Sequence, residues 1–293
     1  MTSSSRRNLR NGLLFASPFM IGVSFFYIYP IAMSFYYSFT RYNFFSSPVW
    51  IGLDNYLTLW KDDLFRISLY NTFYYTFFYV GLGVIIVALG EALFLNLKVK
   101  GLSIFRVIVY LPRLVPLVVT STLWIWIFNP QYGAINLMFR YLGLSGPGWL
   151  VDPQWSKLAL VIISIWVIGQ TVLIYIAALQ GISVQLYEAA EIDGATWWHR
   201  LIYVTLPMVS PAILFNVVMG LIFAFQLFTL PYLVTGGGPA NTTLLYSLYL
   251  YQNAFQYFKM GYACTQGWIL FVIILTCTII VFRSSARWVY YRG

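Results

Sequence analysis

The amino-acid sequence predicts an all-α membrane protein with six transmembrane helices. Of its 293 residues, 60% are hydrophobic and only 9% are charged, and the mean hydropathy is +0.76. A soluble globular domain has about 25% charged residues, so a single aqueous domain is excluded. Six stretches without Asp, Glu, Lys or Arg each exceed the roughly 20 residues that cross a bilayer core. They are residues 11–40, 67–90, 114–139, 158–187, 201–258 and 260–282.

These stretches and their flanks give the predicted bounds of the spans. The six spans are approximately residues 11–39, 67–95, 105–128, 157–182, 207–234 and 260–283. We expect them to form one transmembrane domain over residues 1–293. The fifth stretch is long enough for two spans, but glycine, proline and asparagine in residues 235–242 indicate irregular backbone. Residues 244–258 are then too short to cross and predict an interfacial segment.

Local sequence predicts how several spans begin or bend. The first span follows three arginines as a secretory signal does, but its apolar run is too long and lacks a small-residue cleavage site. We therefore expect it to be retained. In the third span, Pro112 and Pro116 each remove a backbone donor, which predicts a kink or a break. The fifth span is expected to open at Leu206-Pro207, because the first turn of a helix tolerates proline.

The distribution of Lys and Arg predicts that both termini lie in the cytoplasm, since basic residues favour that side. The termini and the loops near 96–106 and 183–206 contain ten of them: Arg6, Arg7, Arg10, Lys98, Lys100, Arg106, Arg200, Arg283, Arg287 and Arg292. The opposite side has six: Arg41, Lys61, Arg66, Arg140, Lys157 and Lys259. Because these residues are scattered over membrane flanks, the net charge of +9 does not indicate nucleic-acid binding.

Two ionisable side chains fall within the predicted spans, where such residues are pointers to function. Glu91 lies seven residues before Lys98, so it can snorkel to the cytoplasmic interface or pair with a neighbouring helix. Arg113 lies between the two prolines of the third span, where a broken helix with a charge can line a pathway. It also follows Arg106 by only seven residues and can instead reach the inner interface. Both interpretations of Arg113 stay open.

The spans contain no residue set that would catalyse a reaction or bind a metal. The only histidine, His199, falls in a predicted loop, and the spans contain no aspartate pair, so an intramembrane protease or metalloenzyme is not expected. Cys264 and Cys277 lie about 20 Å apart along one predicted helix and cannot pair. The chain has no G-x-x-x-x-G-K-[ST] motif, so we expect ATP to be used by a partner.

The loop at residues 183–206 is the most polar stretch and contains three of the eight acids. These acids are Glu188, Glu191 and Asp193. The acids come first and His199-Arg200 last, which matches the macrodipole of one short helix interrupted by Gly194. Such a helix would lie across the cytoplasmic mouth of the spans. Gly194 would let another protein approach the backbone closely.

The loop and the residues after it contain two short motifs at a fixed spacing: Glu188-Ala189-Ala190, three residues, Gly194, nine residues and Val204-Thr205-Leu206-Pro207. This pattern resembles the EAA loop of importer-type ABC transporter permeases, with valine where isoleucine is commoner. Leu111-Pro112 with Pro116, and residues 126–136 and 235–239, are similar to the carbohydrate, maltose-permease-like branch. The resemblance implies a type I importer permease with a coupling helix between spans four and five. The residues that it assigns to contact with the ATPase are Glu188, Ala189, Ala190, Asp193, Gly194, Leu206 and Pro207.

The resemblance also implies a set of partners in a bacterial cytoplasmic membrane. A second permease subunit, two ATP-binding subunits and an extracytoplasmic solute-binding protein would complete the importer. ATP and magnesium would bind the ATPase subunits, and this chain would bind no cofactor. The outward loop with Gly236, Gly237, Gly238 and Pro239 would face the docked binding protein. The alternative for the outward loop is a tight turn that has no contact role. The alternative for residues 183–206 is an interfacial helix that merely joins two spans.

A sugar needs aromatic faces and hydrogen-bonding groups, and two helical stripes provide them. Trp166 and Gln170 are four apart in span four, an aromatic ring beside an amide. Asn216, Gly220 and Ala224 form a stripe of polar and small residues in span five. The alternative is helix packing, in which small residues permit close approach and amides bond to a neighbouring helix.

The sequence therefore predicts the transmembrane subunit of an ATP-driven, binding-protein-dependent importer of a sugar or oligosaccharide. The same architecture importing another polyol or a glycerol phosphate ester is an alternative. A channel or carrier that works alone, and a purely scaffolding subunit, are rivals from other classes. A carrier coupled to protons or sodium would usually contain more intramembrane carboxylates.

Overall fold

The structure, a computed structural model, describes residues 3–97 and 99–290, with side chains described at Asn8 and from residue 11 onward. Five of the basic residues behind the predicted orientation, Arg6, Arg7, Arg10, Lys98 and Arg292, lie outside the described side chains. The orientation of the termini therefore stays a prediction.

The described residues form sixteen α-helices and one small hairpin. In chain order the helices are α1 (Ser3–Val23), α2 (Tyr29–Ser38), α3 (Asp54–Lys61), α4 (Asp63–Phe78), α5 (Ala88–Leu95), α6 (Leu102–Leu114), α7 (Leu117–Ile127), α8 (Ala134–Tyr141), α9 (Ser156–Trp166), α10 (Gly169–Gln180), α11 (Val184–Ile192), α12 (Trp197–Arg200), α13 (Leu206–Phe225), α14 (Thr229–Val234), α15 (Tyr246–Tyr251) and α16 (Met260–Ser285). Four π-helical turns lie at Ser24–Ile28, Tyr79–Val87, Leu201–Thr205 and Gln252–Gln256. Strands β1 (Thr40–Arg41) and β2 (Val49–Trp50) pair antiparallel.

The described helices provide six membrane crossings when each bent pair counts as one span, as predicted. Four continuous helices are long and apolar enough by themselves: Asn11–Ser38, Asp63–Leu95, Trp197–Phe225 and Met260–Ser285. Two bent pairs supply the others, Leu102–Leu114 with Leu117–Ile127 and Ser156–Trp166 with Gly169–Gln180. The protein is an all-α membrane protein with the six-helix architecture expected of a type I importer permease.

The third span is broken rather than kinked. Helices α6 and α7 meet at an angle of 103°, with Val115 extended at φ −76° and ψ 129°. The ring of Pro116 disfavours the helical conformation of the residue before it, and Pro116 is the N-cap of α7. The predicted break is therefore confirmed, and it ends α6 just after Arg113.

The fifth span begins ten residues earlier than predicted and ends nine residues earlier. The helix is continuous from Trp197 to Phe225, so Leu206-Pro207 lies inside it and not at its start. The π-helical turn Leu201–Thr205 ends two residues before Pro207 and widens the backbone where the proline ring would meet the carbonyl four residues earlier. Residues 229–234 form the separate helix α14, which packs against α7.

The chain divides into two compact units, so the prediction of one domain over residues 1–293 stays a prediction. The first unit contains residues up to 62 and 250–269. Thr265 donates from Oγ1 to the Ser38 carbonyl at 2.9 Å, and a Cβ at Gly261 would overlap the Thr40 carbonyl oxygen. These contacts fix the end of the first span against α16.

The second unit contains residues 63–249 and 270 onward and holds the hydrophobic core. Its centre is formed by α5, α9, α10 and α13 around fully buried aliphatic and aromatic side chains such as Tyr175 and Ile163. The Tyr75 hydroxyl donates to Ser164 Oγ at 2.7 Å, which satisfies a polar group inside this apolar core. Both candidate sites described below lie in this unit.

Candidate functional site

The EAA segment, residues 183–206, contains two short helices rather than one. Helix α11 ends in a Schellman motif, in which the Ala195 amide donates to the Ala190 carbonyl at 2.8 Å and the Gly194 amide donates to the Glu191 carbonyl at 3.0 Å. Gly194 adopts φ +77°, a conformation that L-residues with a side chain rarely take. The glycine of the motif therefore stops α11 and turns the chain toward α12.

The space beside Gly194 is open, since a Cβ there would meet nothing within 4 Å. The glycine is needed for its backbone conformation within this chain. The open space also leaves room for another protein to approach the backbone, so the predicted contact role stays a prediction.

The acids of the EAA segment lie at the opposite end of the helix from the one that the sequence indicated. The first turn of α11 contains no acid, whereas Glu188 and Glu191 lie in its second half and Asp193 is its C-cap. The macrodipole disfavours negative charge at a C-terminus by about 0.3–1 kcal/mol per group. The prediction that the acids match the dipole was wrong, because Gly194 ends α11 before the basic residues begin.

Two contacts tie α11 to the start of the fifth span. Arg200 forms an ion pair with Glu191. The Tyr187 hydroxyl lies 3.0 Å from Thr205 Oγ1, a residue of the π-helical turn. The EAA segment is therefore fastened directly to the continuous helix Trp197–Phe225.

The outer surface of the EAA segment exposes apolar side chains that sequence reasoning missed. Ile192 is 86% exposed, and Trp197 and Trp198 are 53% and 63% exposed. Glu188 and Ala189 are exposed and Ala190 is half-buried on the preceding turns. The signal in the sequence was a pair of tryptophans in a loop otherwise rich in charge. Apolar groups beside charges are typical of a surface that another protein covers.

Leu206 and Pro207 do not reach that surface. Leu206 is half-buried against the hydrophobic core, and the Pro207 carbonyl accepts a hydrogen bond from Ser210 Oγ at 2.6 Å. Both residues lie inside the fifth span helix, because that helix starts at Trp197. Their predicted contact with the ATPase remains a prediction.

The second candidate site is a cavity of about 340 Å³ between α6, α10, α13 and the π-helical turn Tyr79–Val87. Rings, amides and one guanidinium share its wall. The lining residues are Tyr79, Arg113, Val167, Ile168, Gln170, Thr171, Ile174, Phe215, Asn216, Met219, Gly220 and Phe223. Three predicted pathway residues, Gln170, Asn216 and Gly220, are therefore brought together.

A close crossing of α6 and α10 brings Arg113 to Gln170. A Cβ at Gly169 would lie 2.6 Å from the Val109 carbonyl oxygen, so only glycine permits this approach. Arg113 is one turn after Val109, and its Nη2 donates to Gln170 Oε1 at 3.1 Å. Arg113 therefore faces the cavity, which favours the pathway interpretation of the two that the sequence left open.

Asn216 and Gly220 have different roles in the wall. Asn216 is 3% exposed, and its Nδ2 makes no hydrogen bond within the described residues. A Cβ at Gly220 would lie 2.9 Å from Val84 Cγ2, so this glycine also serves close helix packing, as the alternative interpretation predicted.

Trp166 and Ala224 do not line the cavity. Helix α9 ends at Trp166 and α10 begins at Gly169 with a bend of 49°, so Trp166 and Gln170 do not share one helical face. Trp166 instead packs edge-on against Trp124, with ring centroids 5.7 Å apart. Ala224 is fully buried in the hydrophobic core. The structure therefore does not bring these two residues together with the other three, because the break in span four and the packing of α13 separate them, and their role in a pathway stays a prediction.

The glycine-rich loop after α14 has irregular backbone, as predicted, and is tightly held. Gly236 and Gly237 have φ of +61° and +97°. Thr243 donates from Oγ1 to the Gly238 carbonyl at 2.5 Å, and Thr242 donates to the Pro239 carbonyl at 2.6 Å. The loop therefore forms a defined surface.

Only part of that surface is open. Gly236 is exposed and Gly238 and Pro239 are half-buried, whereas Gly237 is buried against Leu244. Whether the loop faces a binding protein stays a prediction. Among the described residues, no group of three or more His, Cys, Asp or Glu could hold a metal ion.

Comparisons with known proteins agree on one family. The family described as binding-protein-dependent transport system inner membrane component matches residues 80–292. The chain is 39% identical over 298 residues to the probable ABC transporter permease protein YesP of Bacillus subtilis strain 168, covering 99% of this chain and 95% of that protein. It is 33% identical to the lactose transport system permease protein LacF of Rhizobium radiobacter, covering 97% and 99%.

A solved structure has the same fold. The crystal structure of a bacterial ABC transporter involved in the import of the acidic polysaccharide alginate matches with a TM-score of 0.83 and 25% identity. The match covers 98% of this chain and 99% of that chain.

Proposed function

This chain belongs to the family of binding-protein-dependent transport system inner membrane components, and from that premise we propose that it imports a sugar or oligosaccharide. It would act as one transmembrane subunit of an ATP-driven ABC importer. The relatives named for lactose and for alginate support a saccharide as the transported solute. One of these saccharides is neutral and the other acidic, so the relatives leave the charge of the solute open.

The observation that carries the proposal is the exposed surface of the EAA segment. It presents Glu188 and Ala189 beside the apolar side chains of Ile192, Trp197 and Trp198. Acids that the macrodipole disfavours lower helix stability, and exposed tryptophans are unfavourable in water. A partner that covers this surface would offset both effects. We propose that this partner is the ATP-binding subunit, which would hold ATP and magnesium.

The remaining parts of the assembly follow from the same proposal. A second, different permease would pair with this chain, and two ATP-binding subunits would contact the two EAA segments. With the EAA segment in the cytoplasm and six spans, both termini would be cytoplasmic. The solute-binding protein would dock on the outer side, where the loop with Gly236 and Pro239 is expected to lie.

Transport would follow from movement of the EAA segments. ATP-driven closure of the ATPase subunits would bring the two segments together, and the fastened fifth spans would move with them. The cavity with Gln170, Asn216 and Gly220 would then change its access from one side of the membrane to the other.

The test is a charge reversal on the exposed surface. The chain is co-expressed with its partner subunits and reconstituted, and binding-protein-stimulated ATP hydrolysis and sugar uptake are measured for Glu188→Lys. We expect both to fall at least about tenfold, since a buried interfacial charge that loses its partner costs about 2–5 kcal/mol. Gln154→Lys, which adds a charge at an exposed loop position, is the control.

Unchanged hydrolysis and uptake in Glu188→Lys would overturn the coupling role. Solute movement by the purified chain alone would favour a channel or carrier instead. Hydrolysis by the intact complex without any uptake would favour a scaffolding subunit.

A further inference from the structure

Arg113 is the only charged residue among the twelve that line the cavity. It lies in the last turn of α6, directly before the break at Val115 and Pro116. A charge within a membrane span is unfavourable unless it has a partner or a function.

The cavity offers this guanidinium an amide but no carboxylate. Within residues 3–97 and 99–290, the side chain of Arg113 makes one hydrogen bond, to Gln170 Oε1, and no ion pair. The chain has eight acids, and none of them lines the cavity: Asp54, Asp62, Asp63, Glu91, Asp152, Glu188, Glu191 and Asp193. The positive charge of the cavity is therefore not compensated by this chain.

Lys157, a second basic residue of the same unit, has a packing role and serves as a comparison for Arg113. Its Nζ lies over the rings of Tyr70 and Tyr74, 4.8 Å and 5.1 Å from their centroids. These rings supply cation–π attraction. Among the described residues, Arg113 makes no such cation–π contact, although the ring of Tyr79 shares its cavity wall, and its remaining donors face the cavity.

A favourable interaction with the C-terminal end of α6 does not explain this placement. A basic group in the last turn of a helix gains about 0.3–1 kcal/mol from the macrodipole. That gain needs neither the close crossing at Gly169 nor the hydrogen bond to Gln170. Both features direct the guanidinium away from its own helix and hold it at the cavity wall.

We propose that the cavity selects an anionic saccharide and that Arg113 binds the carboxylate of a uronic acid residue. The planar guanidinium donates two parallel hydrogen bonds to a carboxylate, which a neutral hydroxyl does not match. The rings of Tyr79, Phe215 and Phe223 would cover the C–H faces of the sugar. This inference rests on the proposed function, because it specifies the solute that the importer carries.

The experiment measures the charge preference of the cavity directly, in the complete complex with cysteine-free partner subunits. Cys264→Ser and Cys277→Ser remove the native thiols, and Thr171→Cys places a labelling site on the cavity wall. The rates of reaction with an anionic and a cationic methanethiosulfonate are compared for Arg113→Gln, Arg113→Lys and the parent. Lys157→Gln is the matched control for loss of a basic residue in the same unit.

We expect the ratio of anionic to cationic labelling to fall about tenfold in Arg113→Gln, since charged clefts concentrate counter-ions by at least that factor. Arg113→Lys and Lys157→Gln should keep the parent ratio within about twofold. Trigalacturonate should slow labelling of the parent, whereas its fully methyl-esterified form should not. In Arg113→Lys, protection by trigalacturonate should weaken because the paired donors are lost.

An unchanged labelling ratio in Arg113→Gln would overturn the proposal. Equal protection by the methyl ester, no protection by either saccharide, or equal protection by inorganic phosphate would also overturn it. Binding-protein-stimulated ATP hydrolysis, measured on the same complex, tests the importer proposal separately. The labelling ratio does not depend on coupling, so failure of one proposal is distinguishable from failure of the other.

Discussion

The EAA segment and the cavity lie in the same unit but differ in how their polar side chains are placed. In the EAA segment, Glu188 and Asp193 are exposed and Ile192 meets water. In the cavity, Asn216 is buried and Arg113 is held by a hydrogen bond to a neighbouring helix. The first surface is exposed, and we propose that another protein covers it, whereas the second is held in place by contacts within the chain. Substitutions should therefore affect assembly in the first region and folding in the second.

The largest effect that this comparison predicts is on stability, at the close crossing behind the cavity. Gly169→Ala places a Cβ 2.6 Å from a backbone oxygen of α6, which has no side-chain freedom to move away. We expect the free energy of unfolding to fall by about 2–3 kcal/mol, the upper part of the range of an overpacked core, because the overlapping atom belongs to the backbone. Thermal unfolding of the purified complex would measure it. Gly90→Ala, a helical glycine with nothing within 4 Å of its Cβ, should be neutral or stabilising.

The next effect is on assembly and not on stability. Ile192→Asp removes the most exposed apolar contact of the EAA segment without disturbing the core. We expect affinity for the ATP-binding subunits to fall about tenfold, or about 1.4 kcal/mol, with the unfolding temperature unchanged. Val184→Asp, at the other end of α11, adds the same charge. Equal losses from both variants would show that the contact is not centred on the end of α11.

A smaller effect is expected at the stop of α11. Gly194→Ala forces a side chain into φ +77°, at a cost of about 1–2 kcal/mol, whereas Gly194→Asn should recover part of it because asparagine tolerates this region. Binding-protein-stimulated hydrolysis should follow the same order. If Gly194→Ala and Gly194→Asn give the same stability and the same rate of hydrolysis, the left-handed backbone conformation at residue 194 is not what the EAA segment requires.

The smallest effect should come from the ion pair between the two helices of the EAA segment. Glu191 is 59% exposed in its side chain and Arg200 is 26% exposed. We expect Arg200→Ala to lower the free energy of unfolding by less than about 1 kcal/mol, because partly exposed ion pairs are screened by water and salt. A double-mutant cycle with Glu191→Ala measures the pair itself, and a coupling well above that limit would contradict the expected screening.

The spans could be predicted because the bilayer imposes a length and a composition on the sequence itself. Pro112 and Pro116 predicted a kink or a break in the third span because each removes a backbone donor, and the break falls at Val115, directly before Pro116. The start of the fifth span could not be predicted, since the π-helical turn before Pro207 lets a helix continue through a residue that normally opens one. A proline in the first turn of a helix and a proline that follows a widened turn look alike in the sequence.

The cavity was only partly predictable for a similar reason. Gln170 and Asn216 were found because amides are unusual in apolar helices. Trp166 was grouped with them by its spacing, but the spacing has meaning only within one continuous helix, and span four is bent at that point. The closeness of Arg113 to Gln170 depends on Gly169, whose role appears only when two helices distant in sequence cross.

The continuity of the helix from Trp197 to Phe225 makes the fifth span a lever arm. Its 29 residues extend for about 43 Å at 1.5 Å per residue. The EAA segment is fastened to one end, and Asn216 lies in its second half. A tilt of about 10° at Trp197 would move the far end by about 7 Å on that geometry. This displacement is larger than the donor–acceptor distance of a hydrogen bond, about 3 Å, so it would break contacts between the wall and a sugar. One rigid rod would then carry a force at the membrane surface to the wall that the solute touches.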